Sequence, residues 1–166
     1  MAEHLEIIEG SRAEKYAALL PQIQSVVEDE PDLIARMANI ASMLHETFGW
    51  WWTGFYRVVD NNENDNDNEK QQLVLGPFQG PLACMRIRRG RGVCGTAWDR
   101  DETQVVPDVD KFPDHIACSS ASKSEIVVPV HDSEGRVIAV LDIDSDQLAT
   151  FDEVDRQWLE RIVALL

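Results

Sequence analysis

Cys84, Cys94 and Cys118 each lie in a stretch rich in glycine or small polar residues: LACMRIRRG, GRGVCGTAW and DHIACSSASKSEIVVPV. Structural thiols tend to hide in apolar runs, whereas reactive thiols need access and neighbours that favour the thiolate. An odd number of cysteines argues against a closed disulfide framework, and a reducing compartment argues against permanent bridges. The pattern suits a nucleophile with resolving partners. A thiolate attacks an oxidised centre and becomes a sulfenic acid, and a second thiol condenses with it to a disulfide. Two competing readings use the same residues. Three buried thiols can simply pack as small hydrophobes. A zinc site needs four ligands, which His115, Cys118, Cys84 and Cys94 would supply. No C-x2-C pair exists, however, and the nine-residue gap between Cys84 and Cys94 is unlike a zinc finger, so no metal is expected.

A second constellation is acidic. Glu125 opens one apolar strand pattern, while Asp142 and Asp144 end another, and residues two apart on an extended segment point to the same side. Such carboxyls can bind an ammonium group or share a proton as an acid catalyst. The apolar run Val137 to Leu141 places Asp142 near a dry core rather than at a solvated strand end. Aromatics form a third group: alternation sets Trp52, Gly54 and Tyr56 on one face, with Gly54 leaving a gap between the rings that suits a small apolar group, or plain core packing. The dense basic cluster Arg86, Arg88, Arg89 and Arg91 is expected near the cysteines, lowering the pKa of Cys84 or Cys94, or else simply balancing acidic neighbours. Its Gly-Arg-Gly lacks the lysine-serine or lysine-threonine ending of a phosphate loop.

The elements that must position these groups follow from pattern and punctuation. Ser11 to Glu14 reads as a capping box opening a helix that Pro21 should end or kink. Pro31 fits the first turn of a second helix with Leu33, Met37, Ile40, Leu44 and Phe48 on its buried face and Gly49 as its cap. Strands are expected at 50–59, 73–75, 83–87, 103–106, 125–130 and 137–142, with a short helix at 93–99. Residues 61–70 (NNENDNDNEK) read as a flexible, solvated acidic loop joining a hairpin, and 108–124 as a long functional connection. Thr150 to Glu153 reads as a capping box for a last helix with Val154, Trp158, Leu159 and Ile162 on one face. The resulting fold class is α+β: one domain over 1–166, with a central antiparallel sheet flanked by helices and residues 1–10 as an N-terminal extension.

Composition closes off other classes. With 166 residues, 44% of them hydrophobic, the chain can bury a real core. A net charge of −15 disfavours nucleic acid and anionic membrane surfaces alike. The acidic start lacks a signal peptide's basic and apolar regions, and no window approaches the ~20 apolar residues of a membrane span. A cytoplasmic, soluble protein is expected.

Taken together, WTGFYR (52–57), GPFQGPLAC (76–84), GRGVCGTAW (90–98), TQVVPDV (103–109), HIACSSASKSEIVVPV (115–130) and GRVIAVLDIDS (135–145) resemble the free methionine-(R)-sulfoxide reductases, enzymes built on a GAF domain. The resemblance covers roughly residues 11 to 166. It implies reduction of free methionine (R)-sulfoxide to methionine, thioredoxin as the reductant and no bound cofactor, and it allows a homodimer. By the same resemblance Cys118 is the attacking cysteine and Cys84 the resolving one, with Cys94 relaying the disulfide or sharing the attack. Glu125, Asp142 and Asp144 match the acidic substrate residues, and Trp52 and Tyr56 the aromatics around the methyl end. Ser119 and Trp98 depart from the family's usual pattern, and residues 61–70 look like a local insertion. The alternative function is a GAF-type small-ligand or redox sensor module.

Overall fold

The computed structural model describes residues 4–61, 70–115, 118 and 120–166. Ser11 caps α1 (Arg12–Val27) by accepting the Glu14 N–H, and Glu14 accepts the Ser11 N–H in return. Pro21 does not end this helix. One N–H donor is lost there, but the buried stripe Tyr16, Leu19, Ile23 and Val27 continues past it and holds the helix on the core. Asp32 caps α2 (Leu33–Phe48), so Pro31 precedes the cap instead of sitting in the first turn. Gly49 closes α2 with a φ of 65°, the left-handed conformation a glycine adopts without strain.

Six strands follow: β1 (Trp52–Asp60), β2 (Gln71–Gln79), β3 (Arg86–Ile87), β4 (Gln104–Val106), β5 (Ser124–His131) and β6 (Val137–Ser145). Between β3 and β4 lies α3 (Gly92–Arg100), and α4 (Glu153–Val163) ends the chain. The sheet order is β3-β2-β1-β6-β5-β4, with every neighbouring pair antiparallel. The expected acidic loop at 61–70 lies, apart from its two ends, outside the described residues. At those ends the Asn61 N–H donates to the Lys70 carbonyl.

Three strands differ from their expected lengths by three residues or more, and β6 does so by running on to Ser145. β2 runs on through Pro77 because a register shift opposite Gly54–Tyr56 puts an extra residue on β2, and a bulge tolerates a residue that cannot donate to the ladder. β3 shrinks to Arg86–Ile87, leaving Cys84 in the loop before it.

The sheet separates two apolar layers. Phe55, Ile126, Val128, Val130, Ala139, Leu141 and Ile143 face α1, α2 and α4. On the other side Trp52, Tyr56, Leu73, Val127 and Val140 pack against Val93, Cys94, Ala97 and Trp98 of α3. Strand alternation decides which side each residue takes.

The cap of α4 corrects the sequence expectation. Asp152 is the cap and Asp155 its reciprocal partner, because the Thr150 hydroxyl is already bonded to Ser145 Oγ at 2.6 Å. The buried face also differs: Asp155, Leu159, Ile162 and Val163 point inward, while Val154 is exposed. A carboxylate occupies this buried position because donors meet it there. Tyr16 Oη donates at 2.7 Å, Arg12 Nη1 at 2.6 Å and the Asp152 N–H at 2.9 Å. Asp155→Ala strips this junction of α1 and α4 of its acceptor and strands a buried phenol. The expected loss is about 2–3 kcal/mol, discounted from the usual cost of a broken buried pair because Arg12 is partly exposed, and is read from the urea midpoint.

Candidate active site

Strand register assembles the acidic group. Glu125 on β5 sits directly opposite Asp144 on β6, and Trp52 on β1 sits opposite Asp144 from the other side. Asp142 is opposite Gly54 on one flank and Val127 on the other. Two-residue alternation points Asp142 and Asp144 into the α3 layer, away from the large helical core. Over them α3 lays Cys94, the segment after β4 brings His115, Cys118 and Ser122, and the loop before β3 brings Pro81, Leu82 and Ala83. These groups line one pocket of about 580 Å³, open mouth included. All eight residues singled out in the sequence, Cys84, Cys94, Cys118, Trp52, Tyr56, Glu125, Asp142 and Asp144, meet at or beside it.

The thiols differ sharply. Cys84 and Cys118 form a disulfide with Cα atoms 5.5 Å apart, and Cys118 is exposed. Its neighbours Ile116, Ala117 and Ser119, including the departure from the family pattern at Ser119, lie outside the described residues. Cys94 is a free, buried thiol 3.9 Å from Glu125 Oε1. Burial drives its pKa up, and the nearby Asp142, Glu125 and Asp144 push it further in the same direction. Of the two readings of the arginines, balancing acidic neighbours is the one Arg89 follows. Arg89 pairs with Asp99 at 2.9 Å and lies over the Trp98 ring, and Arg86 turns to Gln72. Only Arg91 lines the pocket.

The aromatics do more than line a wall. Tyr56 Oη donates to the Cys84 carbonyl at 2.9 Å, and Trp52 Nε1 donates to the Pro81 carbonyl at 3.1 Å. Both rings therefore tie down the loop that carries Cys84. Gly54 leaves no gap between them. A Cβ there would stand 2.3 Å from Phe78 Cβ and 2.7 Å from the Trp52 ring, so the glycine permits Trp52 to stack between Tyr56 and Phe78 at 5.9 and 5.2 Å.

Burial raises the pKa of Glu125, Asp142 and Asp144, and the repulsion from Asp142 adds to it at Glu125 and Asp144. Ser122 Oγ donates to Asp144 Oδ1 at 2.6 Å, partly offsetting the rise. His115 Nε2 stands 3.9 Å from Glu125 Oε2, and burial lowers its pKa. Asp142 Oδ1 is buried without a hydrogen-bond partner, an acceptor oxygen left for something that enters the pocket. Sequence reasoning missed Ser122 and Phe78. Nothing in a single serine or phenylalanine marks it as the neighbour of a buried aspartate or of an indole.

Known proteins with this architecture share more than the fold. The family model described as GAF domain matches residues 27–166. "GAF domain-containing protein A" of Dictyostelium discoideum is 55% identical over 166 residues, covering 100% of this chain and 99% of its own. The "Free methionine-R-sulfoxide reductase" of Escherichia coli (strain K12) is 41% identical over 157 residues, covering 94% of this chain and 88% of its own. A crystal structure of free methionine-R-sulfoxide reductase from Neisseria meningitidis, in complex with its substrate, superposes with a TM-score of 0.89 at 52% identity, covering 99% of this chain and 93% of that one.

Clustered carboxyls carry a stability consequence with a definite sign. Their folded pKa values lie above the unfolded ones, so the folded state holds protons that the unfolded chain releases. Their contribution is fully present below the ordinary carboxylate range near pH ~4 and is lost as pH rises through the raised folded values. Asp142→Asn removes one of these charges in nearly the same shape. It is expected to raise Tm at pH 8 by a few degrees, since about 1 kcal/mol moves Tm ~2–4 °C in a domain of this size. The gain should vanish near pH 4, and thermal scans at the two pH values check both halves.

Proposed function

Because the chain belongs to the GAF-domain family of free methionine-(R)-sulfoxide reductases, and is thus an oxidoreductase, we propose that this pocket reduces free methionine (R)-sulfoxide through Cys118 and Cys84. The observation that carries the proposal is a bonded thiol pair at the mouth of a pocket whose floor is a cluster of carboxyls held toward their neutral form.

The chemistry needs both parts. A sulfoxide oxygen departs only once it is protonated, and a carboxyl whose pKa is raised by burial and a like-charged neighbour keeps its proton to a higher pH than an ordinary one. Glu125 and Asp144 supply that acid, and Asp142 Oδ1 offers a free acceptor to the substrate's ammonium group. Trp52 and Tyr56 pack the methyl end. Cys118 attacks the sulfoxide, takes over its protonated oxygen as a sulfenic acid, and releases methionine two electrons richer. The Cys84 thiol then displaces that oxygen as water and closes the Cys84–Cys118 disulfide. A thioredoxin dithiol in the cytoplasm returns the two electrons and restores both thiols. What favours Cys118 over Cys94 as nucleophile is electrostatics: Cys118 is exposed at the mouth, whereas three carboxyls disfavour a thiolate at Cys94.

The coupled assay is methionine formation from the separate R and S sulfoxides with thioredoxin and its reductase. Loss of only the R epimer is expected, and equal use of both epimers or no turnover overturns the reading. Cys118→Ser should abolish even single turnover, whereas Cys84→Ser should release about one methionine per enzyme and stop. A burst that survives in Cys118→Ser and disappears in Cys94→Ser would move the nucleophile to Cys94.

A separate set of variants divides acid from packing. Glu125→Gln or Asp144→Asn is expected to lower kcat/KM about 10²-fold or more and to change the alkaline limb of the pH profile, where the acid is lost as pH rises through its raised pKa. Trp52→Ala should act chiefly on KM, with a smaller loss in kcat because the Cys84 loop also loses the indole donor. Near-normal steady-state kinetics in both amide variants would leave proton donation to His115.

A further inference from the structure

We propose that Cys94, Glu125 and Asp142 form a binding site for a thiophilic divalent cation such as zinc, on the pocket floor and distinct from the Cys84–Cys118 pair. One ligand atom from each of the three lies within 4.8 Å of the others, and all three residues are buried, at 4, 6 and 6% exposed. Zinc bonds of ~2.3 Å to sulfur and ~2.0–2.2 Å to oxygen set tetrahedral ligand atoms about 3.4–3.7 Å apart. Cys94 Sγ and Glu125 Oε1 already stand at 3.9 Å, a few tenths of an ångström from that spacing.

A second observation points independently to a ligand. Asp142, a member of this group that lines the pocket, has its Oδ1 buried and without a hydrogen-bond partner. In addition, none of the ion pairs among the described residues brings a lysine or arginine to Glu125, Asp142 or Asp144. A cation would offset the buried negative charge of these carboxyls where no lysine or arginine does. The mixed sulfur and oxygen donors favour a borderline-soft ion over magnesium or calcium, which take oxygen alone. His115, 3.9 Å from Glu125, or a water completes four-coordination. Two strands and a helix supply the ligands, which is a rigid frame for coordination. The ligands are far apart in sequence, so no metal-binding spacing announces them.

Binding forms one metal–sulfur and two metal–oxygen bonds. The Cys94 S–H proton and any proton on the two carboxyls leave to solvent, and no electron changes hands. A cation seated there occupies the carboxyls that the proposed reduction uses, so it excludes the substrate. That consequence rests on the reductase reading; the site does not.

Cobalt(II), the spectroscopic stand-in for zinc, tests the site in the oxidised full-length chain. With Cys84 and Cys118 bonded, Cys94 is the sole thiol, so a sulfur-to-cobalt band in the near ultraviolet reports it alone. One cobalt per chain with that band and tetrahedral visible bands is expected, and zinc should erase both. Cys94→Ser should lose the near-ultraviolet band, and Glu125→Gln should weaken cobalt binding ~10-fold or more, the low end of what losing even an outer-shell partner costs. Absence of the thiolate band in the wild-type protein overturns the proposal, as does a band that survives in Cys94→Ser. The wild-type spectrum decides the matter even if a variant fails to fold. No turnover is involved, so its outcome is separable from that of the reductase assay.

Discussion

Holding three carboxyls and a thiol together in a dry pocket is the constraint on which the rest of this molecule depends. Like charges at this distance cannot all ionise, and burial disfavours each of them further. Left to relax, the side chains would separate toward water. The sheet prevents it: Glu125 and Asp144 are cross-strand partners, and Asp142 is held between Gly54 and Val127. Rigid register thus holds together carboxyls whose pKa values are raised, the condition that the proposed acid step needs.

The two faces of the sheet divide the labour. Three helices bury the larger core on one side and give the strands their fixed spacing. The other side carries one short helix and two loops, and this lighter cover leaves room for a pocket. Trp52 and Tyr56 belong to both roles, since their rings pack the smaller core while their polar atoms tether the Cys84 loop. Tethering the loop matters because Cys84 must reach Cys118 from a strand-poor region.

Exposure separates the thiols by chemistry. At the mouth, Cys118 is exposed and Cys84 half-buried, and the two are joined as a disulfide. Cys94 on the floor meets only what fits inside. Burial and the neighbouring carboxyls together suppress its thiolate, so the raised carboxyl pKa values and the quiet third cysteine share their causes.

Much of this was legible in the residue order. Capping residues, period-two runs and the glycine at position 49 specify helices, strands and their ends through local chemistry, and Asp142 and Asp144 share a face because strands alternate. The identities of Cys84, Cys94, Cys118, Glu125, Trp52 and Tyr56 marked them as candidates, and long ordered motifs linked them to a family. What composition and spacing could not determine was set by contacts between distant segments. Pro21 stays helical because a core stripe continues beyond it, and Asp155 points inward because Tyr16 and Arg12 meet it from the other end of the chain. The arginines turn to Asp99 and Gln72 instead of the thiols, and Gly54 makes room for an indole instead of a substrate. The pKa directions of the site belong to this second class. Burial and like-charge proximity are properties of the packed sheet, and neither exists until β5, β6 and α3 come together.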